Sequence, residues 1–163
     1  MNPIELFADT LNRTMGMFTA TLADFSDEDM LVRPCPGANH AAWQVGHLIS
    51  AETRMVNGVT AGAAAELPAG FDTKFSKETS GVDDPSQFPG KKALLDQLAK
   101  TRAGSIAWVK TLTPADLDKP APERMQRMCP TVGHLIGLMM GHMSMHMGQL
   151  QVIRRKLGKP ILF

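Results

Sequence analysis

The stretch Gly141-His142-Met143-Ser144-Met145-His146-Met147-Gly148-Gln149 lies inside a run that reads as one long helix, with its two histidines four residues apart. At about 3.6 residues per turn, positions i and i+4 stack on one face, so His142 and His146 aim two imidazoles toward one point. That is a metal-ligand spacing. Zinc-type sites usually take at least three protein ligands, so a third has to arrive from another helix. Where that residue sits fixes how the helices must run.

Outward from this stretch, apolar residues recur with helical spacing in four long segments. Asn2-Pro3-Ile4-Glu5 has the pattern of a capping box with proline in the first turn, and Phe7, Leu11, Met15, Phe18 and Leu22 follow at helical intervals, which predicts a first helix over 3–23. Ser26-Asp27-Glu28-Asp29 predicts a short capped turn. Pro34, Pro36 and Gly37 then block continuation, and Asn39 offers the next cap for a second helix over 40–60. Residues 61–89 hold many small residues and no sustained period, and are read as a long connection. A third helix is predicted over 90–112, another capped turn at Thr113-Pro114-Ala115-Asp116, and a fourth helix over 130–157. Gly158 and Pro160 end that helix, with Arg154, Arg155 and Lys156 in its last turn where the helix dipole favours cations. No segment alternates as a strand. The chain is read as a single all-α domain, a four-helix bundle over 1–163.

Composition narrows the function classes. The 163 residues are enough for a core that needs no disulfide staple. With 17 basic and 16 acidic side chains there is no electrostatic footprint for nucleic acid. The apolar run around residues 132–147 is broken by Gly133, His134, Gly137, Gly141, His142 and Ser144, which makes a poor membrane span and a better buried helix. Two cysteines, Cys35 and Cys129, and no basic-then-apolar leader predict a reduced, cytoplasmic protein, and neither cysteine is given a function.

A repeat bears on the third ligand. Val45-Gly46-His47-Leu48-Ile49 recurs as Val132-Gly133-His134-Leu135-Ile136, and the capped turns at Ser26 and Thr113 stand at the same offset of 87 residues. Each half is read as a helical hairpin, with chance similarity of apolar helices as the competing explanation. His134 precedes His142 by eight residues, about 12 Å along the axis and about 80° around it, and so cannot share an ion with the pair. His40 falls in the first turn of the second helix, an exposed or capping place. His47 lies two turns further in, on the face of Trp43 and Ala51, and is the best remaining ligand. For His47 to meet His142 and His146 the second and fourth helices must be antiparallel. The second and third are then parallel, and the long connection has to cross the length of the bundle.

At this point the residues resemble a known family. Trp43-Gln44-Val45-Gly46-His47-Leu48, His142-x-x-x-His146-x-Gly148-Gln149-Leu150 and Arg154-Arg155-Lys156-Leu157-Gly158-Lys159-Pro160 are similar to the DinB-like superfamily of metal-binding four-helix bundles, sometimes grouped with thiol-dependent S-transferases. The resemblance implies an up-down-down-up bundle with a long crossover between helices 2 and 3, frequent homodimers, and a divalent-metal site of His47, His142 and His146, the set reached above.

Three neutral imidazoles with an open position suit zinc first and nickel next, and a metal so held makes a nucleophile of water or of a thiol near neutral pH. The expected function is a metal-dependent thiol S-transferase or hydrolase acting on a small molecule. The alternative is a non-catalytic, metal-stabilised bundle that works through dimerisation or partner binding. No catalytic base is identified: Met143 stands where a zincin places its glutamate, and Glu52 is about 140° around the helix from His47. Gln149 is a candidate to hold a ligand histidine and Trp43 a candidate for the pocket rim. Ser144 is assigned to helix packing, and the methionines around the pair to core filling or an apolar pocket wall.

Overall fold

The computed structural model describes residues 2–162. Four long helices form the bundle: α1 (Pro3–Leu22), α2 (Ala41–Val59), α4 (Lys91–Thr111) and α5 (Val132–Lys156). A single turn, α3 (Phe71–Lys74), lies within the α2–α4 crossover. There is no strand among the described residues, only one isolated bridge between Pro120 and Thr131.

The caps explain where the helices begin. Asn2 accepts from the Glu5 backbone at 2.8 Å and Glu5 returns to the Asn2 N–H, the capping box read from the sequence. The α2 cap differs from expectation, because His40 and not Asn39 performs it. Its Nδ1 accepts from the Trp43 backbone at 3.1 Å while the ring is fully buried. His40 is therefore not exposed, and its Nε2 lies 3.2 Å from the carbonyl of Val82, which pins the crossover to the start of α2. Both short turns carry reciprocal caps, Ser26 with Asp29 and Thr113 with Asp116.

Three tertiary links establish direction. Trp108 Nε1 donates to Thr60 Oγ1 at 3.0 Å, joining the C-terminal ends of α2 and α4. Arg154, near the end of α5, donates to the Thr21 carbonyl and forks onto the Asp24 carboxylate beyond α1. The start of α2 meets the second half of α5 through Gln44 and His146. Hence α2 runs with α4, α1 runs with α5, and α2 opposes α5: up-down-down-up. Arg154, placed in the last turn of α5 where the dipole favours a cation, is almost wholly buried and serves as a bidentate tie between α5 and α1. Its guanidinium holds the Asp24 carboxyl below the usual carboxylate range.

Neighbour relations correct one expectation. α1 packs on α4 and α5, and α2 packs on the same two, so α1 and α2 face each other across the diagonal. Neither half is a hairpin with its own interface. The core falls into two clusters, one around Phe18, Leu22, Trp43, Phe75, Leu94 and Met143, the other around Leu11, Val56, Trp108, Leu135 and Met139. The crossover is seated on α2 at Gly46, where a Cβ would lie 2.2 Å from the Phe75 ring, so only glycine admits this approach.

Candidate metal centre

His47 comes from the second turn of α2, and His142 and His146 from one face of α5. The antiparallel pairing brings all three together: one ring nitrogen from each lies within 4.8 Å of the others. The Nε2 atoms stand 3.3 Å apart for His47 and His142 and 3.2 Å apart for His142 and His146. For nitrogen ligands about 2.0–2.1 Å from a central ion, a tetrahedron has edges of about 3.4 Å, which these two separations match, while the third pair, His47 and His146, lies within 4.8 Å and has only to draw together for all three to share one metal ion. His134 is one helical end away, exposed, with its Nδ1 2.9 Å from Thr131 Oγ1.

The neighbours set the protonation of the ligand atoms. Gln44 is fully buried, and its Nε2 donates to the Asn39 carbonyl at 2.8 Å, which turns Oε1 toward His146 Nδ1 at 3.0 Å. A carboxamide oxygen only accepts, so Nδ1 carries the proton and Nε2 presents its lone pair to the cluster. Gln44 thus has the place anticipated for Gln149, which lies three residues beyond His146 on α5 and is exposed. Trp43 is buried and stacks on His47, with ring centroids 4.9 Å apart and planes within 7°. It braces the imidazole from behind and does not line the pocket rim. Its own Nε1 donates to Thr79 Oγ1 at 3.2 Å, so the crossover orients the tryptophan that orients the histidine.

Burial keeps the cluster neutral. Desolvation, then the charges of His142 and Arg54, lowers the His47 pKa to about 4. Desolvation, then His142 and His47, lowers that of His146 to about 3, and desolvation lowers that of His142. Three neutral imidazoles at neutral pH are the ligand form that a divalent ion requires.

His47 and His142 open onto a groove of about 780 Å³, walled by Met55, Met125, Met128, Leu138 and Met145, while His146 is buried behind them. Glu52 points away from the histidines, as its place about 140° around the helix from His47 predicts, and is buried in an ion pair with Arg102 at 2.8 Å. Ser144 is exposed and bonds only the Met140 carbonyl, so it contributes no helix packing. Cys129 is buried, which pushes its thiol up, and Cys35 is exposed. No helix among the described residues is long and apolar enough to cross a membrane.

A family model described as the DinB superfamily matches residues 10–150. No curated protein matches the chain. Solved structures share its fold, two of them as follows. A conserved protein from Enterococcus faecalis is 19% identical, with a TM-score of 0.70 over 98% of this chain and 99% of the other. YfiT from Bacillus subtilis, described as a probable metal-dependent hydrolase with an unusual four-helix bundle topology, is 17% identical, with a TM-score of 0.66 over 96% of this chain and 89% of its own.

Proposed function

The chain belongs to the DinB superfamily, and on that footing we propose that it binds one divalent ion through His47, His142 and His146 and acts with it on a small molecule. The observation that carries the reading is the convergence of three neutral imidazoles, with His142 Nε2 at metal-polyhedron spacing from the Nε2 atoms of both His47 and His146, and with His47 and His142 facing a groove. Zinc suits this donor set best and nickel next. When bound, such an ion supplies Lewis acidity and makes a water or thiol nucleophilic near neutral pH.

The chain's own residues do the rest. Gln44 fixes the His146 tautomer, Trp43 fixes the His47 plane, and the methionines give the groove an apolar wall. Hydrolysis is supported by the description of YfiT, and thiol transfer by the soft, apolar walls that suit a sulfur nucleophile. A non-catalytic, metal-stabilised bundle is the second reading, favoured by one fact: no carboxylate side chain lines the groove among the described residues, so no general base is at hand.

Equilibrium dialysis against zinc and nickel, followed by turnover of an ester panel and of thiols with electrophiles, separates these readings. One ion per chain, with turnover lost in His142→Ala, supports the enzyme. One ion without turnover supports the structural reading, and no bound ion removes both.

A further inference from the structure

The groove in front of the histidines segregates charge in a way the whole chain does not. The sequence balances 17 basic against 16 acidic side chains, yet the groove is lined by Arg54, Lys77 and Arg124 and, among the described residues, by no acid. The three arrive from separate elements. Arg54 stands seven residues after His47 on α2, Lys77 comes from the crossover, and Arg124 from the turn before α5.

Their existing partners are slight. Arg54 meets Asp72 at 3.3 Å with both side chains about half exposed, a pair of little strength. Arg124 reaches only the Arg54 carbonyl, at 3.5 Å. Neither Lys77 nor Arg124 has a carboxylate within ion-pair distance among the described residues. Met128 and Met145 line the same groove and are among the most exposed large apolar side chains of the described chain, at 68% and 57%. Exposed methionine beside unpaired cations fits a ligand that covers both, since a long unbranched thioether adapts to an apolar surface. The volume of about 780 Å³ lies within the range of small-molecule sites, about 300–1,000 Å³, and so suits a small molecule and not a macromolecule.

We propose that the groove selects an anionic small molecule with an apolar body, its charge held by Arg54, Lys77 and Arg124 and its body laid against the methionines, in front of His47 and His142. The proposal rests on the groove being the substrate site of the function above, but it does not require the ion to bind.

The test uses phenylbutyrate and its neutral counterpart phenylbutanol, titrated by NMR into the full chain at low salt, with and without one equivalent of zinc. Phenylbutyrate binds about tenfold more tightly in both states, the sum expected of a few partly exposed charge contacts. The preference shrinks toward unity in about 0.5 M salt, where exposed charges are screened. In R54Q/K77Q/R124Q the preference disappears while phenylbutanol affinity stays, and in His142→Ala the preference stays. Equal binding of the two probes, no binding of either, or a preference that survives the triple substitution overturns the proposal. A preference seen only with zinc assigns the anion to the metal and also overturns it. If zinc fails to bind while the salt-sensitive preference persists, the metal reading fails and this one stands. Should the triple variant not fold, the salt titration of the parent chain decides.

Discussion

Val45-Gly46-His47-Leu48-Ile49 and Val132-Gly133-His134-Leu135-Ile136 are the same five residues on two helices, yet only His47 meets the other site histidines. The glycines do comparable work, receiving Phe75 in one case and the Leu117 backbone in the other. What differs is the turn before them. α2 starts at Ala41, four residues ahead of Val45, whereas α5 starts at Val132 itself. The 87-residue offset sets Trp43 and Gln44 against Pro130 and Thr131, a helix breaker and a cap. The first helix therefore has one extra turn, and that turn supplies the ring that braces His47 and the amide that orients His146. A shared pentapeptide encodes close packing, and the side chains that orient the candidate ligands are added by a helix that begins one turn earlier.

The largest test of this asymmetry is in the core. Glu52 and Arg102 form a buried ion pair, and the offset sets them against Met139 and Met15. Burial raises the Glu52 pKa and lowers that of Arg102, and Glu52 Oε1 and Arg102 Nε and Nη1 have no protein partner. Arg102→Met strands the carboxylate and costs about 3–5 kcal/mol in urea unfolding, while adding Glu52→Met, which copies the other half, restores stability to at least the parent level. The stranded Glu52 holds its proton to higher pH folded than unfolded. Protonation thus favours the folded form, and the single variant loses stability as pH rises from about 4 toward 7. A double variant as weak as the single would show that the two halves are not interchangeable there.

The histidines come next. His47→Ala lowers zinc affinity at least about a hundredfold, more than loss of an outer partner does, and abolishes the rise in melting temperature that saturating zinc gives the parent. His134→Ala leaves both unchanged. Equal effects of the two substitutions would place the ion elsewhere than the cluster. Within the extra turn, Gln44→Leu leaves the buried His146 Nδ1–H without an acceptor and weakens zinc binding about 10–100-fold, whereas Gln149→Ala does nothing measurable by the same titration.

How much of this was legible follows from what spacing encodes. The i,i+4 pair, the 87-residue repeat and the length of residues 61–89 together gave the third histidine and the antiparallel α2–α5 pairing, because each constrains distance along a helix axis. Gln44 and the Glu52–Arg102 pair were not legible. Their partners lie 102 and 50 residues away, and periodicity describes one helix at a time without saying which faces meet. The diagonal placement of α1 and α2 was missed for the same reason, since short turns read as hairpins unless the neighbours are known. Trp43 was found, but its role was not, because the loop that orients it through Thr79 has no period to read.

The smallest expected effect is at the start of α5, and it checks whether the missing turn is itself neutral. Thr131 caps the helix, but its Oγ1 accepts from the His134 N–H at 3.5 Å, the long end of a hydrogen bond, and the site is exposed. Thr131→Ala therefore costs about 0.5 kcal/mol, the low end for a lost cap, in urea unfolding. The α2 cap at His40 is shorter, buried and tied also to Val82, so His40→Ala costs clearly more, and it loosens the crossover that holds Trp43. Zinc affinity separates the two: unchanged in Thr131→Ala, reduced in His40→Ala through the chain from Val82 and Thr79 to Trp43 and His47. Equal stability losses with equal zinc affinity would mean that α2 and α5 begin alike in energy, and that the extra turn contributes its two side chains and nothing more.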